Sequence, residues 1–209
     1  LLDLLLAVLV AVNYLTYNPS TVEFMLFHTT VTLPAVVFAI LIVVLVWASI
    51  NVTNCADGVD GLSGTLTIIT LLTIYGIFKI KEDMGSISYL ILLFCVCILG
   101  YLWYNANPSR MLMGDAGSRA MGIFIAIAIL KTGSPVLYLL VAAVLILDGG
   151  LGLIKVALLR FLKIKILKNT RTPLHDHTRK NMGWSGPQTV MRFAIIQIMI
   201  SVATLYLIA

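Results

Sequence analysis

Charge is what this sequence has least of. Of its 209 residues only 11% are Asp, Glu, Lys or Arg, against roughly 25% in an ordinary soluble domain, while hydrophobic residues make up 60%. A water-soluble globule is excluded. So is a disordered or nucleic-acid-binding chain, because the formal net charge of +5 rests on 14 Lys and Arg set among long apolar runs. Cysteine is scarce too, at three residues. Cys55 sits in a polar segment, and Cys95 and Cys97 lie two positions apart in an apolar run, hence on different faces of a helix. That pattern gives neither a disulfide framework nor a metal-ligand spacing. An initial Met and a basic leader are also lacking ahead of Leu1-Leu2, so neither a signal peptide nor a natural start is read there, and a fragment is expected.

What is present is apolar sequence in quantity. Lipid leaves no water to satisfy backbone polar groups, so each long apolar run should be a helix. The runs cover Leu1 to Leu15, Pro34 to Ile50, Thr65 to Ile80, Ile87 to Tyr104, Ala116 to Leu130, Pro135 to Leu159 and Gln188 to Ala209. Breakers mark the joints at Asn18-Pro19, Gly85-Ser86, Asn107-Pro108, Gly133-Ser134-Pro135 and Gly186-Pro187. The expected fold is therefore an all-α, polytopic integral membrane protein, with seven transmembrane helices in a single membrane-embedded domain over residues 1–209.

Seven spans make six connections on alternating sides, so the second, fourth and sixth share one face. These are Asn51 to Gly61, Asn105 to Asp115 and the basic stretch Lys163 to Gly186. Arg110, Arg119, Lys155, Arg160, Lys163, Lys165, Lys168, Arg171, Arg179, Lys180 and Arg192 fall at or near that face, and Lys79, Lys81 and Lys131 at the other. The positive-inside rule then makes the three connections cytoplasmic. Within the sixth span, Asp148-Gly149-Gly150 interrupts the apolar run. Paired glycines permit a break, and an ionisable residue at membrane depth marks a functional position unless it lies at the interface. Beyond it, Lys155, Arg160 and Lys163 among Leu, Ile and Phe suit a helix along the headgroups. Trp47, Trp103 and Trp184, near span ends, read as interfacial anchors.

The three connections hold Asp57, Asp60 and Asp115 beside glycines, in a chain with nine acidic residues. Carboxylates so placed suit Mg²⁺, which takes oxygen ligands and keeps positions open for phosphate. His175, His177, Arg179 and Lys180 could hold charge on a diphosphate, and Asn51, Asn54, Asn105 and Asn107 offer amides to a base, sugar or phosphate. The residues thus describe an enzyme handling a phosphorylated cytosolic substrate at a membrane. A single Asp-Gly is usually just a turn, but three carboxylate-bearing connections on one face are harder to explain that way. Asn51-Val-Thr53 fits a glycosylation acceptor by chance, since it lies on the cytoplasmic face.

At this point the sequence resembles the polyprenyl-phosphate N-acetylhexosamine-1-phosphate transferases. Asn51-Val-Thr-Asn-Cys-Ala-Asp-Gly-Val-Asp-Gly-Leu-Ser63 is similar to that superfamily's Asn-rich segment, and Met113-Gly-Asp-Ala-Gly-Ser118 to its Gly-Asp motif. Pro173 to Phe193, beginning Pro-Leu-His-Asp-His-Thr-Arg, is closest to the histidine loop of the branch that builds bacterial lipid I. The resemblance implies that undecaprenyl phosphate attacks the β-phosphate of UDP-N-acetylmuramoyl-pentapeptide, releasing UMP for peptidoglycan synthesis at the bacterial inner membrane, with the active site facing the cytoplasm. It implies Asp57, Asp115, His175 and His177 as catalytic residues, with Asp115 binding Mg²⁺ and Asp57 acting as metal-site or general-base carboxylate. Gly58, Val59 and Asp60 would line the uridine pocket with Asn105, and Lys155 would lie near the uracil. Asn51, Asn54, Asn107 and Arg179, read above from their amides and charge, are the remaining expected substrate contacts. The broken sixth span would border the lipid-tail groove, and a homodimer is expected.

Two departures stand out. The superfamily's triple histidine reads His175-Asp176-His177 here, and its adjacent Asp-Asp pair is absent. The spans correspond to the fourth to tenth of ten helices, so the first three helices and that pair are expected to be missing, and this polypeptide alone to be inactive. Two other functions remain open from sequence. One is a sister transferase using UDP-N-acetylglucosamine, which Gly183-Trp184-Ser-Gly-Pro187 and Arg192-Phe193 argue against. The other is a transporter, suggested by the broken helix and Asp148.

Overall fold

The computed structural model describes residues 2–167 and 169–209. Leu1, where the first apolar run begins, and Lys168 of the basic connection lie outside the described residues. Every apolar run is helical. Helix α1 is Leu2–Tyr17, α2 Ala35–Ala56, α3 Leu62–Ile80, α4 Ser86–Asn105 and α5 Gly114–Lys131. The sixth run breaks into α6 Tyr138–Val141, α7 Ala143–Leu145, a π-helical segment Ile146–Gly150 and α8 Leu151–Phe161. Helix α9 is Leu174–Lys180 and α10 Gly186–Ile208.

Helices α2, α3, α4 and α10 are long and apolar enough to cross a membrane, and the bent sixth run makes a fifth if counted as one span. Helix α1 has 16 residues, and α5 carries Asp115, Arg119 and Lys131 within its 18. Both therefore fall outside that measure, and helix length supports four or five of the seven expected spans. The outward residues suit a lipid surround: Leu9, Ile40, Val96 and Met199 are all more than half exposed. Cys95 is buried and Cys97 exposed, on the two faces their spacing requires.

Helix α2 is the central post, packed on α1, α5 and the π-helical segment. The approach to α5 is close because Gly122 has no side chain; a Cβ there would stand 2.6 Å from the Ser49 carbonyl and 2.7 Å from the Ile50 Cα. Ser49 Oγ donates to the Gly122 carbonyl at 2.7 Å, so the small-residue contact is also hydrogen-bonded. Small residues at such crossings let helices associate by packing when lipid supplies no hydrophobic drive. Helix α3 packs on α4 and α10 in the same way, burying Leu66, Ile74 and Phe78. Helix α10 begins with a capping box in which Ser185 and Gln188 satisfy each other's backbone N–H groups, with Pro187 in its first turn.

The sixth run bends by 74° between its halves. A break at membrane depth frees backbone groups, and Gln197 of α10 takes them up. Its Oε1 accepts from Val144 N at 2.9 Å, and its Nε2 donates to the carbonyls of Val141 at 3.0 Å and Leu140 at 3.2 Å. Gln197 is itself buried.

Odd and even connections separate to opposite ends. At one end β1 Thr21–Phe24 pairs antiparallel with β2 Thr29–Thr32. Glu23 N donates to the Gly133 carbonyl at 2.9 Å, and Lys81 pairs with Glu23 while donating to the Thr132 carbonyl at 2.6 Å. The first, third and fifth connections thus meet there. The hairpin was not read from the sequence, although its Thr-Val-Glu-Phe and Thr-Thr-Val-Thr are rich in β-branched residues. Likewise the sixth connection, read as a basic stretch, contains α9.

Candidate active site

The second, fourth and sixth connections gather at the other end. Helix α2 stops at Asp57, and the chain turns through Gly61, whose φ of +81° is left-handed and suits glycine. Asp57 caps this turn from inside, accepting from Ser63 Oγ at 2.5 Å. Asn105, the last residue of α4, is buried and ties two connections together. Its Oδ1 accepts from Gly61 N at 2.7 Å while its Nδ2 donates to the Met111 carbonyl at 2.7 Å. Asp60 accepts from Asn107 Nδ2 and Ser109 N, both at 3.2 Å. Asn54 Oδ1 accepts from Ser118 Oγ at 2.6 Å, which fixes α2 against the start of α5 and so positions Asp115.

The sixth connection enters through α9. His175 is buried against Gly58, where a Cβ would meet the Nε2 edge of the imidazole, with Cε1 at 2.7 Å. On its other side the ring meets Asp148: Nδ1 lies 2.8 Å from Oδ2, and the His175 backbone N–H donates to Oδ1 at 2.7 Å. Asp148 is fully buried within the protein, at the level of the last turn of α2, where Gly149 packs on Val52 and Cys55. Asp176, in place of the second histidine, turns instead to Lys180 at 2.8 Å, and that hydrogen bond holds its carboxyl below the usual range.

Burial raises the Asp57 carboxyl above its ordinary value of 3.8; Ser63 lowers it, the charge of Asp115 raises it and His175 lowers it. Asp115 itself is open, with 79% of its side chain exposed and Arg119 at 3.4 Å. Among the described residues no three His, Cys, Asp or Glu form a metal-holding group. Hydrogen bonds join Gly61 to Asn105 and Asp60 to Asn107, His175 meets the same turn by contact at Gly58, and Asp115 is close enough to act on Asp57 by charge, so Asn54, Asp57, Gly58, Val59, Asp60, Asn105, Asn107, Asp115 and His175 gather at one end of the helices.

Other expected residues stand apart from the cluster. Asn51 donates to Trp47 of its own helix at 2.8 Å, and His177 Nδ1 accepts from Arg171 N at 3.3 Å. Arg179 is exposed on α9. Lys155 donates to the carbonyls of Leu167 and Thr170 at 3.1 and 2.8 Å, tying down the connection. Trp184 is covered by the Arg192 guanidinium 4.2 Å from its ring. Ser118 and the Asp148–His175 pair are not legible as site residues because each is defined by a partner distant in sequence, and Ser63 because only the turn through Gly61 brings it back onto Asp57. Between α2 and α8 runs a groove of about 390 Å³ lined by Trp47, Cys55, Gly149, Leu153, Val156 and Pro173.

Membrane-length helices carrying this cluster at one end define a multi-pass membrane protein. The family described as glycosyl transferase family 4 matches residues 1–133, and the chain belongs to that family. Among curated relatives, the phospho-N-acetylmuramoyl-pentapeptide-transferase of Treponema pallidum (strain Nichols) is 40% identical over 178 residues, covering 78% of this chain and 49% of the relative. The protein of the same name from Helicobacter hepaticus is 29% identical over 123 residues, covering 59% of this chain and 33% of the relative. That of Borreliella burgdorferi (strain ZS7) is 36% identical over 106 residues, covering 51% and 29%. The chain thus spans about half the length of the Treponema relative and less of the others.

Proposed function

We propose that this chain forms the helical part of a transferase that moves phospho-N-acetylmuramoyl-pentapeptide from its UDP donor to undecaprenyl phosphate, yielding lipid I and UMP. The observation that carries this reading is the meeting of three separate connections at one end of the helices, bringing Asp57, Asp60, Asn105 and His175 together. The names of the relatives supply the transferred group, and the resemblance of the loop motifs supplies the UDP donor and the undecaprenyl phosphate acceptor. In this reading an oxygen of the lipid phosphate attacks the donor's β-phosphorus, the bond from that phosphorus to the bridging oxygen breaks, and UMP leaves. Asp57 takes the proton of the lipid phosphate if one is present, and the Asp60–Asn105 side receives the uridine. His175 faces the diphosphate, with His177 and Arg179 nearby on α9 to hold negative charge. The groove beside the broken span borders the path of the polyprenyl tail.

The donor set fits Mg²⁺. Asp115 is exposed, and its charge pushes against that of Asp57, a repulsion that a divalent cation between them relieves. Mg²⁺ is commonly held by one or two carboxylates plus substrate phosphates, so three clustered protein ligands are not required. When bound, the ion neutralises charge on the diphosphate. The site opens to the cytoplasm at the bacterial inner membrane, consistent with the basic residues around it.

The test is UMP release by the protein purified at full length, with any segment that precedes Leu1 in the gene, using each of two donors, UDP-N-acetylmuramoyl-pentapeptide and UDP-N-acetylglucosamine, and undecaprenyl phosphate as acceptor. Preference for the pentapeptide donor is expected, and preference for the other would overturn the assignment. Asp115→Asn should abolish Mg²⁺-dependent release while leaving the melting temperature unchanged.

A further inference from the structure

Among the described residues Asp148 is the one acidic residue that is fully buried. It stands in the π-helical segment, a geometry that occurs mostly as local bulges and often at functional sites. Gly149 follows it because α2 lies directly against this turn, and a Cβ would overlap the Val52 carbonyl. Both carboxylate oxygens are taken by one residue 27 positions further on: Oδ1 by the backbone N–H of His175 and Oδ2 by its Nδ1. Oδ1 already accepts from the backbone N–H, and with Oδ2 accepting as well the shared proton lies on Nδ1, the tautomer that the experiment below reads. A second proton on this ring must then sit on Nε2, at the edge that faces Gly58 and so adjoins Asp57.

Stability alone is a poor account of this arrangement. Replacing a buried charged pair with well-packed apolar groups is often neutral or stabilising, and the backbone bond by itself would dock α9. What the second bond adds is orientation: it fixes the ring and decides which nitrogen meets the cleft.

We propose that Asp148 is a positioning residue for the transfer reaction, locking the His175 imidazole so that Nε2 is presented at the Asp57–Gly58 turn toward the donor diphosphate. The role rests on the reaction proposed above. Asp148 touches no substrate; it acts through His175.

Asp148→Asn keeps the size and one accepting oxygen but turns an N–H group toward Nδ1, which selects the opposite tautomer. The experiment compares ¹⁵N-histidine spectra of the intact wild-type protein and Asp148→Asn at a pH where the ring is neutral, with His175→Ala to assign the signal. The wild type should show the Nδ1–H tautomer with a downfield, hydrogen-bonded proton, and the variant should lose it. In UMP release, kcat should fall about 10- to 100-fold, the usual effect of removing such an outer partner, with KM for the donor little changed. In the His175→Ala background Asp148→Asn should cost nothing more. Absence of UMP release from the full-length wild type would overturn the reaction itself. With release present, an unchanged spectrum or losses that add in the double variant would overturn the role of Asp148. Should Asp148→Asn fail to fold, the wild-type spectrum decides: no Nδ1–H signal from His175 overturns the proposal.

Discussion

At the scale of single residues, the site is governed by two close fits, one steric and one electrostatic. Gly58 is a site residue because of what it lacks. Adding one methyl there drives into the imidazole edge of His175, and the ring is held on its far side by Asp148 and cannot back away. Gly58→Ala should therefore lower UMP release about 10- to 100-fold, as misplacing a reacting group by about an ångström does, while the helical circular dichroism is kept. Normal release by that variant would show that His175 need not sit where it does. Asp57 supplies the electrostatic case. Burial raises its carboxyl, so the fold favours the protonated form. The stability this group contributes is then present at low pH and lost as pH rises through the raised value, leaving the ionised Asp57 a cost to folding at neutral pH. Asp57→Asn removes that charge and keeps an oxygen for Ser63. In EDTA its melting temperature should exceed that of the wild type at pH 7, with the gain shrinking toward acid pH, although transfer is lost. The residue types of this site were legible in the sequence, because carboxylates and amides are rare in so apolar a chain. Their partners were not: Ser63 to Asp57, Ser118 to Asn54 and Asp148 to His175 join residues 6, 64 and 27 positions apart, and no periodicity announces such pairs.

At the scale of elements, the apolar runs revealed the helices, since lipid forces a long apolar run to satisfy its own backbone. The same rule explains what the runs concealed. A break between α6 and the π-helical segment is tolerable only if another side chain takes the freed groups, and Gln197 does so from a helix more than fifty residues away. The sequence shows Asp148-Gly149-Gly150 but not this splint, and therefore not the direction of the 74° bend. Gln197→Leu keeps the volume roughly and leaves Val144 N–H and the Val141 carbonyl unpaired in the interior. Leaving a buried polar group unsatisfied costs about 1–3 kcal/mol, so the variant should unfold at lower denaturant concentration, as followed by tryptophan fluorescence. An unchanged midpoint would mean that water or a neighbouring group reaches the break instead. The β-hairpin and α9 were missed for a different reason. Each is short, and short elements are fixed by tertiary contacts, here Glu23 to Gly133 and His175 to Asp148, more than by their own propensities.

At the scale of the whole molecule, the separation of connections ties architecture to orientation. The first, third and fifth meet around Glu23, Lys81 and Thr132, and the second, fourth and sixth around Asn105, Asp57 and His175. This is the alternation expected of a chain that crosses a bilayer repeatedly, although length and composition count only four or five of its helices as spans. The basic residues are distributed unequally between these ends. Arg110, Arg171, Arg179 and Lys180 belong to the even connections, with Lys163 and Lys165 leading into the sixth, whereas Lys79, Lys81 and Lys131 mark the odd end. Positive charge stays on the cytoplasmic side during insertion, so the diphosphate cluster should face the cytoplasm, where nucleotide donors are made, and the hairpin should face out. A chain with its cysteines at 55, 95 and 97 replaced by serine or alanine allows a direct check. In intact spheroplasts a membrane-impermeant maleimide should label Thr30→Cys, in the exposed second strand, and should reach Ser109→Cys only after permeabilisation. The opposite pattern would put the cluster on the side away from the nucleotide pool, and a UDP-linked donor could not then be its substrate, however well the carboxylates are arranged.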